Sequence, residues 1–316
     1  MRRSIPIAFA GVFLAALMSS GVALAQQKSL ALVTNASADF WTIARRGVDK
    51  AQQEHPDYKM EVIVTGQATA AEQRRELDDL LARGIAGVSI STIDPQNSIE
   101  ELNKVAAKAV LLTTDSDAPA SNRVVYIGTD NVAAGRQAGA EIIKALPNGG
   151  KVMGFVGTMD ADNARERVEG IKDALKGTNI QIVDIRTDGT DFAKAKSNVQ
   201  DALAKGGIDL LLGLYSYNTP QIYTAVKEAG MTGKIKVVGF DEDPQTLRGV
   251  ADGTVAATIV QQPYQFGYQS MIDMIKYING DKSFIPANKQ IIIPTRVINQ
   301  GNVADFVATL KQLLHK

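Results

Sequence analysis

The chain alternates short apolar runs with longer amphipathic stretches, and that rhythm predicts its elements. Leu30-Ala31-Leu32-Val33 reads as a first strand and 40–54 as a helix, followed by a strand at 61–64, a helix near 69–83 and a strand at 87–90. A helix near 96–108, a strand at 110–112 and a short strand at 124–127 complete this series. The alternation then restarts with helix 131–146, strand 151–156, helix 162–176, strand 180–185, helix 191–205, strand 208–214, helix 219–229 and strand 235–239. Apolar runs separated by helical segments are the mark of buried parallel strands joined by right-handed crossovers. The predicted fold class is α/β with doubly wound parallel sheets.

Two sheets fit the pattern better than one. The non-helical passage from Ala118 to Gly128 interrupts the rhythm near the middle, where a chain would pass between lobes. Later, 255–260 reads as a strand, 263–279 as a helix and 290–293 as a strand, as if the chain returned to the first lobe and back. A terminal amphipathic helix over 302–315 would turn Phe306, Leu310 and Leu313–Leu314 inward. No internal repeat of matching residues, low-complexity segment or heptad run stands out.

The N-terminus changes the picture of where the protein works. Arg2 and Arg3, an apolar stretch from Ile5 to about Leu17 and the small-x-small run Ala23-Leu24-Ala25 form a secretory signal, with cleavage expected after Ala25. The apolar stretch is too short to span a membrane. With no cysteine, the chain has neither disulfides nor a lipid-anchored terminal thiol, so an exported product in a cell with an outer membrane stays in the periplasm without a stable membrane anchor. Basic and acidic residues number 34 each, and loss of Arg2 and Arg3 leaves a slight acidic excess, which gives no electrostatic reason to expect nucleic acid as a partner.

Most catalytic chemistries lack their residues. No glycine-rich loop ends in Gly-Lys-Ser/Thr, and Thr34-Asn35-Ala36-Ser37 after the first strand lacks a dinucleotide fingerprint. The two histidines, His55 and His315, stand in charged surroundings without triad or metal partners, and Asp241-Glu242-Asp243 points three adjacent acids in different directions. No metal and no cofactor is expected.

Open α/β sheets bind ligands beyond the carboxyl ends of their strands. Those ends carry Asp39-Phe40-Trp41 (the single tryptophan), Asp94-Pro95, Asp115-Ser116-Asp117, then Asn163, Arg165 and Arg167, then Tyr215-Ser216-Tyr217-Asn218, Asp241 and Gln261. Carboxylates accept from sugar hydroxyls, arginine and amides donate to them, and an aromatic plane covers the apolar face of the ring. Singly, each residue has an ordinary reading as a helix cap, a core aromatic or a solvated helix face. Together they make a binding set without a nucleophile.

With these motifs in this order, the chain resembles the type I periplasmic sugar-binding proteins, nearest the ribose-binding branch. The resemblance covers the whole mature chain and is carried by Ser29–Val33 with Phe40-Trp41, Tyr126–Asn131, Ala164–Gly170, Val237–Asp241 and Ala256–Pro263. It implies Phe40 and Trp41 as stacking aromatics, Asp115, Arg167, Asp241 and Gln261 as hydroxyl-binding residues, and Phe192 as a second stacking aromatic from the opposite lobe. Tyr215 and Asn218 complete the expected ligand set, with Asp94, Asn163 and Arg165 as candidates for further contacts. Three departures leave pentose, hexose and polyol open: the asparagine before the aromatic pair is replaced near Ala38, Ser116 stands where an arginine is expected, and Tyr215 replaces an asparagine.

The resemblance also implies a domain map: signal peptide 1–25, an N-terminal lobe of 26–129 plus 262–290, and a C-terminal lobe of 130–261 plus 291–316. A three-crossing hinge would lie near Gly128-Thr129, Gln261-Gln262 and Gln290-Ile291. The implied function is capture of a monosaccharide or polyol between the lobes by a monomeric protein, for delivery to the permease of an ABC importer. A sensor that reports to a chemoreceptor or histidine kinase, a repressor effector domain and an enzyme remain as alternatives.

Overall fold

β1 (Lys28–Val33) shows how the first sheet is held: Leu30 and Leu32 join the apolar cluster on one face, while Ala31 and Val33 join the cluster on the other. A strand buried on both faces has no reason to alternate polar residues, hence the continuous apolar runs. The computed structural model describes Met1 and residues 27–314, so the expected signal peptide and His315 lie outside the described residues, Met1 excepted.

β1 is joined in the first sheet by β2 (Tyr58–Ile63), β3 (Gly87–Ile90), β4 (Val110–Thr114), β5 (Tyr126–Gly128) and β11 (Gln290–Ile292), in the order β11-β5-β4-β3-β1-β2 and parallel throughout. The second sheet has β6 (Gly150–Val156), β7 (Ile180–Thr187), β8 (Leu210–Gly213), β9 (Lys236–Phe240), β10 (Ala257–Val260) and β12 (Arg296–Asn299), in the order β12-β10-β9-β8-β6-β7. The strand orders correspond one to one. Only the last strand differs, β11 running parallel to its neighbour and β12 antiparallel. Each sheet reverses direction beside its first strand, at β1 and at β6, and thereby opens a crevice at the strand ends.

Helices α1 (Asp39–Glu54) and α9 (Pro263–Ile278) cross on the first sheet, and α4 (Asn131–Ala145) and α5 (Asp162–Ala174) cross on the second. Both crossings are glycine-to-glycine. A Cβ at Gly47 would lie 2.0 Å from the Tyr264 carbonyl and one at Gly267 2.1 Å from that of Ala44; the equivalent distances are 2.2 Å from Gly135 to Arg167 O and 2.0 Å from Gly170 to Val132 O. Gly170→Val is therefore expected to lower stability by about 1–3 kcal/mol, read as an earlier urea midpoint. Because α5 also carries Asn163 and Arg167, ligand affinity should fall with it.

The remaining helices are α2 (Ala70–Ala82), α3 (Ile99–Ala106), α6 (Phe192–Lys205), α7 (Asn218–Glu228), α8 (Pro244–Ala251) and α10 (Val303–Leu313). Two elements escape the sequence pattern. α8 is only two turns long, started by the Asp243 cap and Pro244, and β12 is a short edge strand with a polar residue at each end. α10 turns Val303, Phe306, Val307 and Leu310 toward the second core, while Leu313, expected inward, is 39% exposed. The chain passes between the sheets after Gly128, after Val260 and again between Ile292 and Arg296. The third passage falls beyond the Gln290-Ile291 expected, because Gln290–Ile292 extend the first sheet along β5 and Ile293 N–H donates to Gly128 O at 2.7 Å.

Candidate functional site

The two sheets present their strand ends to one another, and each contributes an aspartate in the same backbone state. Asp115 follows β4 with φ 60° and Asp241 follows β9 with φ 67°. The backbone N–H of each donates to the neighbouring strand, Asp115 to Ile127 O and Asp241 to Ile259 O. A left-handed conformation is costly for a residue with a Cβ and is tolerated by Asp more than by most; such a position is a common mark of a functional site. Here it turns both carboxylates toward the space between the sheets.

That space is a cavity with about 340 Å³ of empty volume, part of it open to solvent. Phe40 and Trp41 form one wall, their rings edge to face at 5.0 Å, and both also pack into the first lobe's core. Asp115 Oδ2 accepts from Ser91 Oγ (2.7 Å), Asn35 Nδ2 (3.2 Å) and Asn163 Nδ2 (3.3 Å). The last of these bonds joins the two lobes. Asn35 also accepts from Trp41 Nε1 at 3.0 Å, which fixes the indole, and Tyr215 Oη donates to Asn163 Oδ1 at 3.0 Å. Asp241 Oδ1 accepts from Gln261 Nε2 at 3.0 Å.

Arg167 is 1% exposed. Its Nε donates to Asn131 Oδ1 and its Nη1 to Leu214 O, and the guanidinium sits 4.5 Å from the Phe240 ring centroid. Its Nη2 has no partner within the described residues, nor has Gln261 Oε1. A buried polar atom without a partner costs about 1–3 kcal/mol, so a donor and an acceptor left open in one cavity equip it for a polar ligand.

Two buried carboxylates face one guanidinium. Burial raises Asp241 to about 6, against the opposing pull of Arg167 and Gln261, and the neighbouring Asp115 raises it further. Burial also raises Asp115, against Arg167 and the three donors to its Oδ2. Tyr215 is pushed above the ordinary tyrosine range by burial and stays a neutral hydroxyl. Such a site suits a neutral polyhydroxylated molecule: two acceptors, a cation, amides on both sides and an aromatic wall.

Of the residues expected from sequence, Phe40, Trp41, Asp115, Asn163, Arg167, Tyr215, Asp241 and Gln261 line this cavity. Four do not. Asn218 is buried but spent within the fold, accepting from Tyr215 N–H and donating to Asp188. Arg165 turns back onto Asp162, Met159 O and Asp160 O, and Asp94 caps the turn at Asn97. Phe192 lies in an outer cavity at the cleft mouth. The acidic run divides as expected: Asp241 faces the cavity, Asp243 caps α8, and Glu242 is buried with Oε2 unpartnered. Among the described residues no group of three or more His, Cys, Asp or Glu is placed to hold a metal. The sequence reading missed Asn35, and placed Ser216 and Tyr217 at a strand end without including them in the ligand set. Asn35, three positions before Ala38 in the same loop, brings an amide to the cavity wall, where it bridges Trp41 and Asp115.

Comparison with known proteins places this geometry among relatives. The periplasmic binding protein domain family matches residues 30–282. The ribose import binding protein of Haemophilus influenzae is 29% identical over 292 residues, covering 90% of this chain and 98% of that protein. An ABC transporter solute binding protein from Burkholderia graminis, solved in complex with D-arabinose, superposes with a TM-score of 0.81 at 28% identity, covering 87% of this chain and 96% of that one. A chain of the XylFII–LytSN complex superposes at 0.80 with 25% identity, covering 87% and 98%.

Proposed function

This chain belongs to the periplasmic binding protein domain family, and from that premise we propose that it is the sugar-binding, solute-binding protein of an ABC importer, working in the periplasm by binding rather than by turnover. The observation that carries the reading is the pairing across the cleft. Asp115 from one lobe and Asp241 and Arg167 from the other face a single cavity walled by Phe40 and Trp41, with Arg167 Nη2 and Gln261 Oε1 open to a ligand. The relatives that bind ribose or D-arabinose support a monosaccharide of that size.

In this mechanism the lobes move about the three crossings, a few residues at element ends absorbing the backbone change. A sugar shifts the population to the closed form only through contacts it makes with both lobes at once. Asp115 and Trp41 on one side and Asp241, Arg167 and Gln261 on the other supply them. The closed form then presents one surface built from both lobes to a permease. A sensory role for the same cleft is the second reading, supported by the similarity to a chain solved in the XylFII–LytSN complex. Pull-down from membranes with the ligand-bound protein separates the two by the partner recovered.

A thermal-shift screen of the mature chain against aldoses, ketoses, polyols, sugar acids and amino acids tests the proposal. At about 100 times its dissociation constant a ligand adds about 2.7 kcal/mol, which raises the melting temperature by several degrees. A neutral sugar or polyol is expected to give that shift. Silence from all of them with a response to an amino acid would replace the ligand class.

A further inference from the structure

Phe192 sits at the mouth of the cleft, where burial and ring geometry describe a second surface. Its ring stacks on Tyr217 with centroids 4.8 Å apart and planes 15° apart, yet it remains 42% exposed. Val64, on the first lobe, is also 42% exposed and lines the same outer cavity. Only five large hydrophobic side chains between residues 27 and 314 are exposed, and two of them meet here from opposite lobes. The outer cavity holds about 820 Å³ of space, part of it open solvent. It shares Ala38, Trp41, Ser216 and Tyr217 with the inner cavity, so the two adjoin across those residues.

We propose that this outer cavity is a second saccharide subsite, so that the ligand is a neutral glycoside or disaccharide with one ring in the inner cavity and its substituent on the Phe192–Tyr217 platform. The inference rests on the sugar-binding reading of the inner cavity and extends it. An aromatic ring with one solvent-facing side offers what the C–H face of a sugar or an aryl aglycone needs. Polar groups suited to hydroxyls surround it: Thr42 and Ser216, with the Arg45 guanidinium anchored on Val62 O. Asp39 and Asp243 face this space from opposite lobes and outnumber the single cation, which disfavours a phosphate or carboxylate substituent. The Tyr217 hydroxyl donates to Asp188, itself bonded by Asn218, so the platform is braced from behind.

The test uses the mature full-length chain and the fluorescence of its single tryptophan, Trp41, which borders both cavities. Ribose, arabinose, xylose, glucose and galactose are titrated alongside their phenyl glycosides and xylobiose, cellobiose and lactose. At least one glycoside or disaccharide is expected to bind about tenfold more tightly than its own monosaccharide. Phe192→Ala should remove most of that ratio, and Phe192→Trp should restore it. A monosaccharide that binds as tightly as all its glycosides, or a ratio unchanged in Phe192→Ala, overturns the outer subsite and leaves the inner one standing. Silence from every sugar overturns the sugar-binding reading itself.

Discussion

Asp241→Asn is expected to weaken sugar binding by at least about thirtyfold while leaving the unliganded protein as stable as before or more so. The loss follows from the bond removed. A carboxylate that accepts from a hydroxyl in a buried site makes a charge-assisted hydrogen bond, about twice as strong as a neutral one, and removing one partner of a buried charged contact costs about 2–5 kcal/mol of affinity. Each 1.4 kcal/mol is about a factor of ten. The stability follows from the same burial taken with the opposite sign. Asp241 is 3% exposed and its carboxyl is raised to about 6, so at neutral pH the folded protein holds a charge that the unfolded chain solvates more easily. Asparagine removes that charge, keeps the shape and tolerates the φ of 67° at this position. Calorimetric titration reads the affinity and a urea curve the stability. Unchanged affinity would take Asp241 out of the site; lost affinity with an earlier unfolding midpoint would give it a structural role instead.

Much of this site was legible because parallel sheets place chemistry at predictable points. Reading the first residues beyond each apolar run found both aspartates, the aromatic pair and Gln261, since a strand end fixes where the next side chains lie. Helical residues needed a further rule. Asn163 and Arg167 are four apart and share the α5 face that meets the cavity, whereas Arg165, two from each, points elsewhere and pairs with Asp162. That spacing was present in the sequence and separates the two residues that line the cavity from the one that does not. Asn218 lies outside the cavity lining for a different reason: at the first position of α7, its amide folds back to hold Tyr215 N–H, a local bond that composition does not reveal.

Other features were beyond sequence reasoning of this kind. The structural correspondence of the two lobes rests on strand order and on the left-handed state of Asp115 and Asp241, not on the matching residues that a reading for repeats looks for. Asn35 carried no signal by type alone. It sits in a loop whose lack of glycines argues against a nucleotide, and only the fold brings its amide between Trp41 and Asp115. The glycine pairs at the helix crossings look like weak helix positions in the sequence and become intelligible only when backbone meets backbone.

Stability and affinity are expected to run in opposite directions with pH, and this is the broader consequence of burying acids in a cleft. Burial raises Asp115, Asp188, Asp241, Glu242, Asp243 and Asp273, and for Asp241 the raised value is about 6. Such groups bind protons more tightly when folded than when unfolded, so the stability they contribute is complete below the unfolded value of about 4 and is lost as pH rises through the folded value. For Asp241 alone the gap corresponds to about 3 kcal/mol. The carboxylates held low, Asp173 and Asp252 at about 2, lose their contribution only in strong acid and leave the range from pH 5 to 8 untouched. The unliganded melting temperature should therefore rise from pH 8 to pH 5. Over the same range the sugar needs the ionised acceptor, and one unit below its midpoint only about a tenth of Asp241 is ionised, so the dissociation constant should increase by about tenfold between pH 7 and pH 5. Asp241→Asn supplies the control, with weak binding that changes less across this range, Asp115 being the remaining raised acceptor, and a smaller rise in melting temperature. An affinity that stays flat in the wild-type protein from pH 8 to pH 5 would mean that the ligand does not depend on the Asp241 charge.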